Sequence, residues 1–289
     1  MSFTDRFTYH LLKLAHGWLN RLFQRERSRV GATIGSVAFN KIAIRKTHAR
    51  RHLKMAFPDK SDNYIDYNLR ELHRHYGHMF IDALCGTRLI QHGKVTAEGK
   101  KQLDSSYSEG KGVILMAGHF GNWELIPTWL AVNGYQIVTV AQRQKNRGAD
   151  RFFMEYRKKT ETSPVYPGAP PSDMISSLNA GKILILASDQ NAGKRGVQVD
   201  FFNKPSSIPK GTARFHNSTG CKVVIVYCIL MKGGKYVLRA RDIMNEISKD
   251  SSEDNICTIF SRDLESFVRK YPEQYFWFHR KWDRKFYNK

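Results

Sequence analysis

The stretch that decides the fold is Val113-Ile114-Leu115-Met116-Ala117-Gly118-His119-Phe120-Gly121-Asn122-Trp123-Glu124. Its first five residues form an uninterrupted apolar run, which is typical of a strand buried on both faces of a sheet. The residues that follow have the spacing of an amphipathic helix. We therefore expect His119 and Glu124 to lie at the carboxyl end of a strand, the edge of an α/β sheet where ligands usually bind.

His119 and Glu124 form a candidate general-base pair. Histidine is the side chain best suited to accept a proton near neutral pH, and a carboxylate can hold its ring and stabilise the imidazolium that forms. The same spacing also arises by accident, because a Glu is favoured in the first turn of any helix by the helix dipole. The pair alone is therefore a hypothesis that other motifs have to support.

The chain alternates between strand and helix patterns on the carboxyl side of residue 112. Apolar or β-branched runs predict strands, and amphipathic spacing predicts helices between them and a final helix before Pro272. The strands are expected at 113–117, 136–141, 182–187, 222–230 and 236–240, and the helices at 124–132, 150–160, 172–180 and 255–270. This order indicates an α/β fold with a mostly parallel mixed sheet flanked by helices.

The N-terminal third is predicted to be helical. Apolar residues recur at helical intervals over 62–84, and residues 7–23 show a similar pattern with basic residues interposed. The latter fits a helix lying on a membrane surface, and it equally fits a helix packed against the domain. We therefore expect a helical, basic, membrane-associating segment over residues 1–60 and an α/β domain over 61–289.

The composition restricts the partners. The 289 residues include 47 Lys and Arg against 26 Asp and Glu, which gives a formal charge of +21 and favours anionic partners. The basic residues are spread along the chain and no zinc-finger or RNP-type motif is present, so we expect no nucleic acid. The aromatic and basic stretch 275–282 suits a membrane interface or, equally, the edge of an aromatic core with a solvated basic rim.

The cysteines and apolar runs restrict the location. The four cysteines show neither CxxC nor Cys/His metal spacing, so we expect reduced packing residues and no metal. Residues 1–6 do not begin a signal peptide, and the longest apolar run, 32–44, is interrupted by Asn40 and Lys41. Peripheral attachment to a membrane is therefore favoured over a spanning helix.

Several separated blocks together resemble the bacterial lipid A biosynthesis acyltransferases, members of the lysophospholipid acyltransferase superfamily. The block 119–124 is similar to the active-site block of that family, and 143–146 resembles its arginine-bearing block, with Arg157 at the place of a second basic residue. The stretches 189–190, 199–205 and 209–211 are similar to its third block, and 272–282 to its C-terminal signature. The resemblance covers most of the chain, from residue 51 to the end.

The resemblance implies direct transfer of an acyl chain from a carrier thioester to a hydroxyl. His119 would be the general base, and Glu124 would orient or electrostatically support its ring. No Ser or Cys lies in a nucleophile-elbow motif, which disfavours a covalent intermediate. The expected substrate-binding residues are Arg143, Asn146, Arg157, Asp189, Gln190, Lys210 and Gly211.

Several of these roles stay open at the level of sequence. Arg143 and Arg157 are candidates either for oxyanion stabilisation or for holding a substrate phosphate, and backbone N–H groups around Gly121 are alternative oxyanion donors. Asp189 is either a second site residue or a turn residue. Phe201 and Phe202 either line an acyl channel or pack in the core, and the Lys210-Gly211 pair is expected in a loop that closes over the site.

The resemblance also implies the partners. The donor is expected to be acyl carrier protein, which is acidic, with no cofactor beyond that thioester substrate. The acceptor is expected to be a lipid A precursor, an anionic glycolipid, at the cytoplasmic face of the bacterial inner membrane. An amino-acid lipid, another glycolipid or a lysophospholipid is an alternative acceptor, and a non-catalytic basic membrane-binding module is an alternative function.

Overall fold

The protein has an α/β fold in which helices cover one large sheet. The structure is a computed structural model that describes residues 1–43, 45–159, 163–166, 168–247 and 251–287. The helices are α1 Phe3–Leu19, α2 Gln24–Val37, α3 Lys46–Ala56, α4 Asp62–Leu84, α5 Gly86–Gln91, α6 Lys100–Ser108, α7 Leu125–Val132, α8 Arg147–Lys159, α9 Pro171–Asn179, α10 Gly211–Thr219 and α11 Glu253–Lys270. The strands are β1 Val95–Glu98, β2 Val113–Gly121, β3 Ile137–Val140, β4 Ser163–Val165, β5 Ile183–Ala187, β6 Val197–Phe201, β7 Lys204–Ile208, β8 Lys222–Leu230 and β9 Tyr236–Asp242.

Seven strands form the main sheet in the order β1-β9-β8-β2-β5-β3-β4. β8, β2, β5, β3 and β4 run parallel, and β9 pairs antiparallel with β8. β6 and β7 form a separate antiparallel hairpin. The prediction of a mostly parallel sheet flanked by helices is therefore confirmed.

The central strand β2 divides the core into two layers. Ile114 and Met116 belong to the cluster formed with α3, α4 and α11, whereas Val113, Leu115 and Ala117 belong to the cluster formed with α5, α6 and α7. Successive side chains of a strand point to opposite faces, so an unbroken apolar run serves both layers. The carboxyl end of β2 is thereby fixed in the middle of the sheet.

The N-terminal helices pack onto this body. The Tyr9 hydroxyl of α1 donates a hydrogen bond of 2.8 Å to the Glu155 carboxylate of α8. α2 lies against α4 so closely that a Cβ on Gly77 would stand 2.1 Å from the Gly31 carbonyl oxygen. The division expected between residues 60 and 61 stays a prediction, although these contacts join the two parts.

The C-terminal segment completes the core. Tyr275, Trp277 and Trp282 are buried, whereas His279 and Arg280 are exposed. The buried indole N–H of Trp282 donates to the Phe201 carbonyl oxygen at 2.9 Å. Of the two interpretations of this stretch, the structure supports the aromatic core edge, with His279 and Arg280 as its solvated rim, whereas Lys281 is buried.

Candidate active site

The sheet brings His119 and Asp189 together. β2 and β5 are parallel neighbours, and Ala117 pairs with Ala187 at their carboxyl ends. His119 and Asp189 each stand two residues beyond that pair, and the His119 Nδ1 lies 2.7 Å from the Asp189 Oδ1. Since a carboxylate accepts, Nδ1 carries the proton, which leaves Nε2 as the ring's available base.

The two groups shift each other's pKa towards the charged forms. Burial is the largest effect on His119 and lowers its pKa, but the Asp189 charge, its hydrogen bond and the charge of Glu124 together outweigh it. The pKa of His119 is therefore raised above its ordinary value. Burial is also the largest effect on Asp189, and for this acid it raises the pKa. The charge and hydrogen bond of His119, with the charge of Lys281, outweigh burial, so the pKa of Asp189 is lowered below its ordinary value.

Asp189 is held by groups that the sequence did not single out. It is 2% exposed, and the buried Lys281 ammonium donates to its backbone carbonyl oxygen at 2.7 Å. Burial lowers the pKa of Lys281 to about 8, partly offset by the charge of Asp189. Lys281 lies within the C-terminal block, but no periodicity or spacing indicates that its ammonium points to this aspartate.

Gln190 occupies the other side of the histidine ring. Its Nε2 lies 3.3 Å from the His119 Nε2, as a donor to the lone pair of the neutral ring. An acceptor hydroxyl that gives its proton to the ring has to take this position. Of the residues expected to bind substrate, Gln190 and Asp189 are therefore the two that contact His119.

Glu124 does not hold the ring in the described structure. Its Oε1 accepts a hydrogen bond of 3.2 Å from the Trp123 indole N–H, and its side chain is exposed. Its charge still contributes to the raised pKa of His119. The geometry therefore gives the orienting contact to Asp189 and leaves Glu124 the electrostatic part of the role expected for it.

A glycine sets the backbone between the strand and the next helix. Gly121 has φ +63°, and a Cβ there would lie 2.0 Å from the Cys228 carbonyl oxygen. The same carbonyl accepts the Asn122 N–H at 2.7 Å, so this N–H is already bonded. The turn places α7 directly beyond the site and removes one of the expected backbone oxyanion donors.

Aromatic side chains form a wall on one side of His119. Its ring centroid lies 4.9 Å from Trp123 and 6.1 Å from Phe276, and Tyr76 lies 5.2 Å from Phe276. These rings are only partly buried, so they present apolar surface beside the base. Phe201 and Phe202, by contrast, are buried against Tyr275, Trp277 and Trp282, which supports the packing alternative for them.

A polar cleft opens on the side of Gln190. Its volume is about 1040 Å³, and its lining includes Arg45, Lys194, His279 and Arg280. His119 thus contacts the aromatic wall on one side and Gln190, a residue of the cleft lining, through its Nε2.

The remaining expected residues have contacts with groups other than His119. Asn146 caps α8, because its Oδ1 accepts the N–H groups of Gly148 and Ala149 at 3.0 and 2.9 Å. Arg143 is exposed and lies over the Tyr166 ring at 4.2 Å. Arg157 lies on α8, 6.0 Å from the Phe153 ring centroid.

Lys210 and Gly211 stand at the start of α10. The Lys210 ammonium lies 3.3 Å from the Glu253 carboxylate, which gives it a structural partner, and Gly211 is the first residue of the helix. Thr212 of the same turn lies 3.3 Å from the Ser188 hydroxyl, next to Asp189. Their expected closure over the site stays a prediction.

The site thus consists of a histidine held by a buried carboxylate at the carboxyl edge of parallel strands, next to aromatic rings and a basic cleft. Residues 5–284 match the bacterial lipid A biosynthesis acyltransferases, and the chain belongs to that family.

Curated relatives agree with this class. The chain is 31% identical over 134 residues to a phosphatidylinositol mannoside acyltransferase of Mycobacterium tuberculosis strain H37Rv, covering 45% of this chain and 42% of the relative. It is 33% identical over 128 residues to the protein of the same name from Mycolicibacterium smegmatis, covering 43% and 42%. The chain thus spans less than half the length of the curated relatives that it matches.

Proposed function

We propose that this protein transfers a fatty acyl chain from a carrier thioester directly to a hydroxyl of a glycolipid. The observation that carries the proposal is the His119–Asp189 pair, which leaves Nε2 as the available base of the ring. Nε2 is contacted by Gln190, a residue of the basic cleft, and the ring lies beside the aromatic side chain of Trp123. An acyl chain is apolar and a glycolipid headgroup is polar, so the reacting atoms belong where apolar and polar surfaces meet. Membership of the acyltransferase family supports this assignment.

The proposed reaction uses His119 as the base between the two substrates. The acceptor hydroxyl replaces the Gln190 amide at Nε2, and His119 takes its proton as the oxygen attacks the thioester carbonyl. The tetrahedral intermediate collapses with cleavage of the carbon–sulfur bond, and the departing thiolate receives the proton from the imidazolium. Asp189 keeps Nδ1 protonated throughout and stabilises the transient charge.

The nature of the acceptor and donor is also proposed. The named relatives are phosphatidylinositol mannoside acyltransferases, which favours a phosphorylated glycolipid, and the family match favours a lipid A precursor. The charge of +21 suits both an anionic acceptor and acidic acyl carrier protein.

Mass spectrometry of the products tests this function. Purified protein is incubated with acyl carrier protein thioesters and, separately, with a lipid A precursor, a phosphatidylinositol mannoside and total bacterial lipid. Gain of one acyl chain by a glycolipid supports the proposal, and the mass increment gives the chain length. Acylation of a non-glycolipid alone overturns the acceptor class, and the absence of any acylated lipid with folded protein overturns the function.

The pH dependence of the reaction follows from the raised pKa of His119. A general base acts in its neutral form, so kcat/KM falls as pH drops through that pKa. Because the carboxylates raise the pKa above 6.5, we expect the midpoint of the acid limb above that value. The check is kcat/KM from about pH 5 to about pH 9, and a flat profile or a midpoint below 6.5 would contradict it.

The surface of α1 supports attachment to a membrane, which we propose to be the cytoplasmic face of the inner membrane. One stripe of the helix is exposed and apolar, whereas Tyr9 and Leu19 on the opposite side are buried. The stripe consists of Phe3, Phe7, Leu11, Leu14 and Trp18. No described helix is long and apolar enough to cross a bilayer. A helix with one buried and one exposed apolar face suits a peripheral position in the interface.

Charged substitutions in this stripe are expected to release the protein from lipid. The variant L11E/L14E removes two exposed leucines, each of which contributes on the order of 1.5–3 kcal/mol when buried in an apolar phase. We expect at least about 10-fold weaker partitioning onto anionic vesicles, measured by flotation. The control Q102E/Q136E adds two acidic residues at exposed neutral positions outside α1, so it changes the net charge by the same amount. Equal loss in both variants would show a general charge effect and no role of the stripe.

A further inference from the structure

The basic cleft beside His119 has features of a built binding site. It lies between the C-terminal segment and the loop after β5, and Gln190 belongs both to its lining and to the contacts of His119. A ligand that contacts Gln190 in the cleft is therefore only one side chain away from His119.

Within the part of the chain that the structure describes, three cations of the cleft have no carboxylate partner. They are Arg45, Lys194 and Arg280, and none of them forms an ion pair within the described ranges. The lining also includes one acidic residue, Asp283. Arg45 is held in place, because its Nη1 donates to the Phe278 carbonyl oxygen at 2.9 Å. Cations that converge on a cavity without internal partners suit a phosphate, whose oxygens accept several charge-assisted hydrogen bonds.

A buried imidazole adds an unsatisfied acceptor to the same lining. His52 is 0% exposed, and its Nδ1 lies 2.5 Å from the Trp277 carbonyl oxygen, so Nδ1 carries the proton. Burial lowers the pKa of this ring to about 4, and the ring is therefore neutral at pH 7. Its Nε2 then has a free lone pair, and this atom has no hydrogen-bond partner within the described part of the chain. Such an atom is satisfied by a hydroxyl or amide N–H.

We propose that the cleft binds a phosphate ester that carries a hydrogen-bond donor next to its phosphate. Arg45, Lys194 and Arg280 hold the phosphate, and His52 Nε2 accepts from the neighbouring hydroxyl or amide. This inference rests on the proposed function, because two substrates of such a reaction have this chemistry. One is the phosphorylated headgroup of a glycolipid, and the other is the phosphopantetheine arm of a carrier thioester.

Binding of soluble probes tests the site without any turnover. The probes are inositol 1-phosphate for the headgroup and coenzyme A for the carrier arm, with myo-inositol as the uncharged control, at about 0.15 M salt to screen long-range attraction. We expect one phosphorylated probe to bind and to move the nitrogen resonance of His52 Nε2, because that atom gains a hydrogen bond. Absence of a His52 shift with both probes would overturn the proposal.

Matched double variants separate the cleft from the overall charge. We expect K194Q/R280Q to weaken probe binding about 10-fold or more, as for loss of charge-assisted hydrogen bonds to phosphate. The control K101Q/K111Q removes two exposed charges that do not line the cleft, and it should bind as the wild type does. Equal weakening in both variants would show that the effect is non-specific attraction and would overturn the proposal.

Kinetics identify the source of the phosphate. A rise in acceptor KM alone for K194Q/R280Q assigns the cleft to the glycolipid headgroup, and a rise in donor KM alone assigns it to the carrier arm. Unchanged KM values for both substrates in an active enzyme overturn the cleft proposal while the proposed function stands. Probe binding at His52 by a wild type that acylates no lipid overturns the proposed function while the cleft proposal stands.

Discussion

Replacing His119 with alanine is expected to lower kcat for acyl transfer by roughly 10²–10⁴-fold, the usual contribution of a general base. The loss follows because Nε2 is the base that the geometry leaves available on a ring beside the aromatic wall, next to Gln190 of the cleft lining. Substrate affinity should change much less, because the proposed headgroup contacts lie in the cleft. The measurement is steady-state kinetics on the lipid found by product analysis.

The control for His119→Ala is His92→Ala. His92 is exposed in the turn after α5 and makes no contact with the site, so its variant should keep wild-type activity. Thermal unfolding of both variants shows whether the fold is retained. A folded His119→Ala protein that retains more than about a tenth of kcat would remove His119 from the role of general base.

Local sequence patterns predict much of the fold. α4 begins and ends at 62 and 84 as its periodicity predicts, and β8 spans Lys222–Leu230 as its apolar run predicts. Both elements are long and face a core, so a regular period persists over many residues.

Several short or polar elements were not predicted. β1 and β4 have only four and three residues, and the β6–β7 hairpin lies where the sequence shows Asp, Asn, Lys and Pro between its apolar residues. Such segments have too few residues to show a period, and the neighbours they pair with decide their conformation. Part of the helix expected over 150–160 is confirmed in α8, and residue 160 lies outside the described residues.

The site likewise has one part that local sequence predicts and another part that depends on tertiary contacts. His119 was predicted from its own strand, since a residue after a buried apolar run stands at the sheet edge. Its hydrogen bond to Asp189 depends on the pairing of β2 with β5, which are 70 residues apart in sequence. Lys281 depends on the docking of the C-terminal segment. A single sequence shows neither the register nor the docking, so the nearer carboxylate, Glu124, was expected to orient the ring.

Replacing Asp189 with asparagine tests which carboxylate orients His119. The amide keeps the size but no longer holds Nδ1 protonated, and an amide N–H facing Nδ1 favours the tautomer whose Nε2 cannot accept a proton. We expect kcat to fall by roughly 10²–10⁴-fold, as in other sites that lose the orienting carboxylate. The result is measured with the lipid substrate and with Asp189→Glu as a charge-preserving comparison.

The pH profile separates this role from a simple loss of structure. Without the Asp189 charge, burial dominates, so the pKa of His119 falls and the acid limb moves to lower pH. Glu124→Gln removes a weaker contribution, so it should move the limb in the same direction by less, whatever its effect on rate. An acid limb that moves in Glu124→Gln and stays in place in Asp189→Asn would instead make Glu124 the orienting partner. If both variants lose rate while the acid limb of neither one moves, that limb reports the titration of a group other than His119. The reason is that the charges of Asp189 and Glu124 both act on the His119 ring.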